Sequence, residues 1–349
     1  MNSLNSLQRV LTSMGHQEPD RVPFFLLLTM HGAKELGLGI REYFSRAENV
    51  AEGQLRMRDK YRHDCLYAFF YAALEIEAWG GDVVFYDDGP PNSAVPFLKD
   101  IDLIQELQPP LIEEAVCLHK VLDAIRIMKE KSGDEVPIIG VVMSPFSLPV
   151  MQMGFDKYIE LIYERPDLFR RLMTVNSEFC ANWANAQLEA GATAICYFDP
   201  VSSPTIIPRS TYLTTGFEVA KATLSRIKGP TATHMASGRC LGILDDLALT
   251  GTAAVGASVL EELAAVKAAC RGKLTVLGNL NGIEMRTWTP EMAAGKVREA
   301  IAQAAPGGGF ILADIHGEIP WPVSEEVLLA ISDAVHTWGR YPIDTRELK

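Results

Sequence analysis

Eight short apolar runs, each followed by a polar or glycine-containing loop and then by an amphipathic helical pattern, most constrain what this chain can fold into. They are Val22 to Leu28, Cys65 to Phe70, Val136 to Met143, Ala194 to Asp199, Pro230 to Met235, Ala253 to Ser258, Leu274 to Asn279 and Phe310 to Asp314. Near-continuous apolar runs of this length fit parallel strands covered on both faces. Helical patterns fall between them at about 45–61, 111–131, 166–190, 208–227, 240–249, 260–270 and 290–304, with a last helix from Ser324 to about Trp338. A further helix over 4–14 precedes the first strand, and Ser45 reads as the cap of the 45–61 helix, after a loop holding Gly32, Gly37 and Gly39. Eight such units predict an α/β chain forming a single (β/α)8 TIM barrel over residues 1–349, with an N-terminal helical extension. The competing open, doubly wound sheet would need a dinucleotide glycine fingerprint or a P-loop to bind its ligand, and neither occurs. Residues 82–98, DVVFYDDGPPNSAVPFL, break the rhythm and read as a β-hairpin excursion at the barrel mouth.

A hydrophobic content of 48% over 349 residues supports a sizeable core. The net charge of −12 argues against nucleic acid or an anionic membrane as the main partner, since both are held by clustered Lys and Arg. The start of the chain has no apolar stretch of signal-peptide length, and no long apolar run occurs, so a cytoplasmic location is expected. The cysteines, Cys65, Cys117, Cys180, Cys196, Cys240 and Cys270, form no CxxC pair, which points to neither a disulfide framework nor a zinc knuckle.

In such a barrel the chemistry belongs at the C-terminal ends of the strands. Those ends carry Phe69, Phe70, Tyr71, Glu75 and Glu77 after the second strand, Phe146 and its neighbours after Met143, and Asp199 after the fourth. His234 closes the fifth, Asn279 the seventh, and Asp314, His316 and Glu318 follow the eighth in GFILADIHGEIPWP. His234 and His316 are candidates for acid–base chemistry or metal ligation; the alternative for His234 is a satisfied core histidine. Asp199 ends an apolar strand, where an unpaired carboxylate would be costly; an Asx-type cap on the next loop is the other reading. Glu75 and Glu77, two apart, cannot both enter the site from one helix. Met143, Phe146 and Trp321 either line a pocket for a flat molecule or belong to the core.

These residues carry a resemblance. RVLTSMGHQEPDRVP near the N-terminus, MSPFSLPVMQMG followed by ERPDLFRRLM, the FDP of Phe198–Pro200, VLGNLN at 276–281 and GGFILADIHGEIPWPVSEEV together resemble the uroporphyrinogen decarboxylase superfamily over nearly the whole chain. That superfamily holds the decarboxylase and the corrinoid-linked methyltransferases, and the resemblance implies a (β/α)8 barrel with its pocket at the strand C-termini. The decarboxylase's arginine-rich segment after the first strand is replaced here by MHGAKELGLG, Met30 to Gly39. Of the thiol-directed methyltransferases' His-x-Cys…Cys zinc site, His234 keeps the first position, while Ala236 and His316 stand where the two cysteines would be. A zinc on His234, His316 and a carboxylate such as Glu75 or Asp314 is one reading, and no metal is the other.

The resemblance thus favours a cobalamin-dependent methyltransferase demethylating a small substrate such as a methoxylated aromatic. Its catalytic candidates are His316, His234 and Asp199, with Phe69, Phe70, Tyr71, Met143, Phe146, Asn279 and Trp321 around the substrate. The partners implied are a corrinoid-binding protein carrying the cobalamin and the methylated substrate, with a homodimer as one assembly open to the chain. A decarboxylase of a smaller acid, a methylcobalamin-to-thiol methyltransferase and a non-catalytic binding protein are the alternatives.

Overall fold

The computed structural model describes residues 3–346 and pairs all eight expected strands in parallel. They are β1 (Phe24–Phe25), β2 (Leu66–Tyr67), β5 (Ile138–Met143), β6 (Ala194–Phe198), β7 (Thr231–His234), β8 (Ala254–Gly256), β9 (Thr275–Asn281) and β10 (Phe310–Ile315). The order is β1-β10-β9-β8-β7-β6-β5-β2, and the sheet curls into a barrel. The excursion at 82–98 is an antiparallel pair, β3 (Val83–Val84) and β4 (Asn92–Ser93).

The seam between β1 and β2 shows why those two strands are so much shorter than their apolar runs. Each pairs regularly on one side only. At the lower end, Asp64 N donates to Phe24 O (2.9 Å) and Phe24 N donates to the Asp64 carboxylate (3.0 Å). At the upper end the buried Gln54 side chain replaces the ladder, donating to Leu28 O (2.6 Å) and accepting from Tyr67 N (3.0 Å). Asp64 also receives Arg9 (2.8 Å), Arg21 (2.6 Å) and Ser6 (2.9 Å), which ties the N-terminal helix Ser6–Met14 across the base of the barrel. That helix begins with a reciprocal cap, Asn5 accepting from Gln8 N (2.8 Å) and Gln8 accepting from Asn5 N (3.2 Å).

Most of the core lies between sheet and helices, whereas the cluster inside the barrel is small: Val10, Phe25, Cys65, Ile139, Ile311 and Ala313. Several helical expectations need correction. Gly32 lies in a short helix, His31–Leu36, and not in a loop. Ser45 donates back to Glu42 O (2.6 Å) and caps nothing; the helix over 47–61 has Arg46 at its N-cap. The 208–227 pattern splits into Arg209–Thr214 and Gly216–Leu224 at Thr215, and two helices not expected, Pro149–Met153 and Phe155–Glu164, follow β5. No helix among the described residues is long and apolar enough to cross a membrane.

Candidate active site

A cavity of about 400 Å³ occupies the barrel, open at the strand C-termini and lined there by Phe69, Pro90, His234, Asp314, His316 and Glu318. Among the described residues, no Lys or Arg lines it.

Four ionisable groups meet in its upper part. His234 stacks on Phe198, with ring centroids 5.4 Å apart, and its Nδ1 accepts from Ala236 N (3.0 Å), so the neutral ring carries its proton on Nε2. Gly256 on the neighbouring strand makes room for this ring: a Cβ there would stand 2.9 Å from Ile315 Cδ1 and 3.3 Å from His234 Cδ2. Burial pulls His234 down to about 4, and repulsion from His316 adds to that. His316 is held in the left-handed region (φ 123°), which a non-glycine residue tolerates only where its surroundings impose it. Its Nδ1 pairs with Ser237 Oγ, and its Nε2 is buried without a partner. Burial lowers its pKa as well.

The carboxyls are pushed the other way. Burial raises Asp314 to about 7 despite the hydrogen bond its Oδ1 accepts from Leu27 N (2.9 Å). Burial likewise brings Glu318 to about 7, with the Asp314 charge adding and the hydrogen bond from Thr29 Oγ1 opposing. Near neutral pH the cavity therefore holds two neutral imidazoles and a carboxyl pair poised to keep or release a proton.

The other expected residues lie elsewhere. Asp199 is buried outside the cavity, its Oδ1 accepting from Ser144 Oγ (2.6 Å) and Ser147 Oγ (2.8 Å), so the expected convergence of Asp199 with His234 and His316 does not occur. The reason is strand phase: Ala194, Cys196 and Phe198 face inward, which turns Asp199 outward. Among the expected substrate contacts, Phe69 lines the cavity and the rest do not. Phe70 packs on Phe44, while Tyr71 donates to Glu77 (2.7 Å). Met143 and Glu75 line a separate small void, where Glu75 accepts from Met143 N (2.8 Å) and is raised to about 8 by burial. Phe146 lies in the outer core against Tyr158 and Phe169. Asn279 donates to Ser258 O (3.2 Å) and opens into a neighbouring polar cleft. Trp321 lies under Lys34, 4.4 Å from its ring centroid, and near His31. Of the donors named for zinc, Glu75 lies apart from the histidines; His234, His316 and Asp314 line one cavity, but no group of three or more His, Cys, Asp or Glu suited to a metal occurs among the described residues.

Sequence reading placed Glu318 at the strand end and gave it no role, and it passed over the inward-facing Cys196, Ala232 and Ala254. The period-2 phase of β6, β7 and β8, extended to the strand tops, is the signal that finds these three residues and removes Asp199.

An eight-stranded parallel barrel with ionisable side chains gathered at the strand C-termini defines an enzyme of the (β/α)8 class. The profile of the uroporphyrinogen decarboxylase (URO-D) family matches residues 5–338, and the chain belongs to that family. Its relatives carry both activities named by the resemblance. Uroporphyrinogen decarboxylase from Janthinobacterium sp. (strain Marseille) is 26% identical over 304 residues, 83% of this chain and 82% of its own. The methylcobamide:CoM methyltransferase MtaA of Methanosarcina barkeri is 30% identical over 165 residues, 46% of this chain and 47% of its own. The structure of a methyltransferase from Methanosarcina mazei shares the fold, with a TM-score of 0.79 at 21% identity, covering 96% of this chain and 99% of that one.

Proposed function

We propose that the protein is a corrinoid-dependent methyltransferase that takes a methyl group from a small neutral substrate, favouring an aryl methyl ether, and passes it to cobalamin carried by a partner protein. The observation that carries this reading is the charge inventory of the cavity, which among the described residues is two carboxyls and two imidazoles, with no Lys or Arg. A decarboxylase must desolvate at least one substrate carboxylate, and here it would do so beside Asp314 and Glu318 with no cation to compensate. A neutral ether meets no such penalty. About 400 Å³ holds one small molecule and not a corrinoid beside it, so the corrin is a second substrate presented at the mouth.

The chain's own groups then divide the work. The methyl carbon leaves the ether oxygen for the reduced corrinoid, which supplies the electron pair of the new bond. The pair of the broken C–O bond stays on the ring oxygen. That oxygen takes a proton from the Asp314–Glu318 pair, whose raised pKa values suit a general acid at neutral pH. His316 serves as a donor and not as the acid, because its pKa is lowered. With Ser237 Oγ–H donating to Nδ1, the unpartnered Nε2–H is free to hydrogen-bond the leaving oxygen. His234, neutral and fixed against Phe198, forms the wall beside it. Asp199, outside the cavity, ties the loop after β5 to the end of β6 by accepting from Ser144 and Ser147. The test is an anaerobic incubation with cob(I)alamin and an aryl ether carrying a deuterated methyl group. Deuterated methylcobalamin together with the free phenol is expected, and an unlabelled corrinoid with intact ether contradicts the reading.

A further inference from the structure

The barrel is hollow well below its catalytic end. An eight-stranded barrel is normally just wide enough for layers of bulky side chains to fill it. Here Cys196, Ala232 and Ala254 are register partners on three successive strands, β6, β7 and β8, and all three line the cavity. Ala194 and Ala313 add two more small inward residues. Ala194, Cys196, Ala232 and Leu277 stay half-buried although each sits on a strand paired on both sides, because each faces open space. The same cavity continues down to Leu7, Val10, Leu11 and Met14 of the N-terminal helix, which forms its floor. Along β6 its wall runs from Thr193 to Phe198, five steps of about 3.3 Å, or roughly 17 Å of strand. Every charged or imidazole side chain lining it, Asp314, Glu318, His234 and His316, belongs to the upper end.

We propose that the lumen between Phe198 and Val10 is a binding slot for an elongated apolar group of the substrate, which enters tail first and leaves its methylated end beside His316 and Glu318. The chemical class is a neutral aryl ether with an alkyl tail. The volume falls within the usual range of small-molecule sites, and the lining offers the tail contact without any charge to desolvate. The tail-bearing substrate rests on the methyl-transfer reading; the slot itself does not.

The test is competition of anisole, 4-butylanisole and 4-heptylanisole against the fluorescent apolar probe N-phenyl-1-naphthylamine on the full chain, with no corrinoid present. Saturable probe binding is expected, displaced more tightly as the alkyl tail grows, by up to about fourfold per buried methylene. Ala232→Leu, which narrows the middle of the lumen, should abolish the tail dependence. Val10→Trp, which raises the floor, should remove it for the longest tail only. A melting temperature for each variant shows whether it folds. The proposal is overturned by absent or non-saturable probe binding to the wild type, by a flat series, or by an unchanged series in folded variants. Should neither variant fold, the wild-type series decides alone. Tail-dependent binding without methyl transfer sinks the methyltransferase reading and keeps the slot; transfer from anisole with a flat series does the reverse.

Discussion

Asp314 and Glu318 work against the stability of the fold, and the sign follows from the direction of their shifts. Both are raised to about 7 in the folded protein, so folding is unpenalised below the ordinary carboxyl range. Stability is then lost progressively as pH rises towards 7, and the full loss is present above it. For a shift of this size the loss is roughly 3–4 kcal/mol at one site, and the two sites, being coupled, do not add. Asp314→Asn should therefore raise urea stability at pH 8 relative to wild type and bring no such gain at pH 4. Activity moves differently. Glu318→Gln, which keeps the shape and removes a proton donor, should lower methyl transfer by about 10², and the wild-type rate should fall as pH rises through about 7. His316→Ala should also cost about 10², as the loss of one donor to the developing negative charge. Its pH profile should stay like wild type, whereas that of Glu318→Gln should flatten. A near-wild-type rate in His316→Ala would remove that residue from the chemistry. The raised carboxyls were not legible in the sequence, because burial and not residue type sets them; the histidines were, because each stands at the end of an apolar run.

Most of the strands owe their legibility to runs that are apolar on both faces, such as Ile138–Met143 and Phe310–Ala313, which stand out without helical or alternating ambiguity; β7, Thr-Ala-Thr-His, is the least apolar of them. What the runs could not convey is how the sheet closes. The seam depends on Gln54, from a helix, and on Asp64, from the turn before β2, and both act through contacts far apart in sequence. Gln54→Ala strands the buried Leu28 carbonyl and Tyr67 amide, at about 1–3 kcal/mol for each buried group left unpaired, and denaturant unfolding would measure it. Asp64→Ala leaves Arg9 and Arg21 without their shared carboxylate and should cost roughly 3–5 kcal/mol. An Asp64→Ala protein as stable as wild type would show that the base of the barrel is closed by other means. Strand phase explains the misplaced Asp199: a residue next to an inward-facing Phe198 points outward, however well it is located along the strand.

Taken whole, the molecule combines a barrel whose β6–β8 wall carries small inward side chains with a cavity that holds proton donors and, among the described residues, no Lys or Arg in its lining. Membership of the URO-D family leaves decarboxylation and methyl transfer both open, and the proposal of methyl transfer rests on the charge inventory of the cavity. The resemblance read from the sequence reached the same division by a different route, through the missing arginine segment and the replacement of both zinc-site cysteines. It expected the site at the strand C-termini, the end at which the ionisable side chains of the cavity gather. It gave no view of the lumen, because the small residues that empty it, Cys196, Ala232 and Ala254, become neighbours only once the strands are in register. The most direct test of the account follows the corrin absorbance of cob(I)alamin under anaerobic conditions with the wild-type protein and an aryl methyl ether, in parallel with carbon dioxide release from aromatic and aliphatic carboxylic acids. Conversion to methylcobalamin that requires both protein and ether, with no carbon dioxide from any acid, is the result expected; an unchanged corrin spectrum together with carbon dioxide release would contradict it.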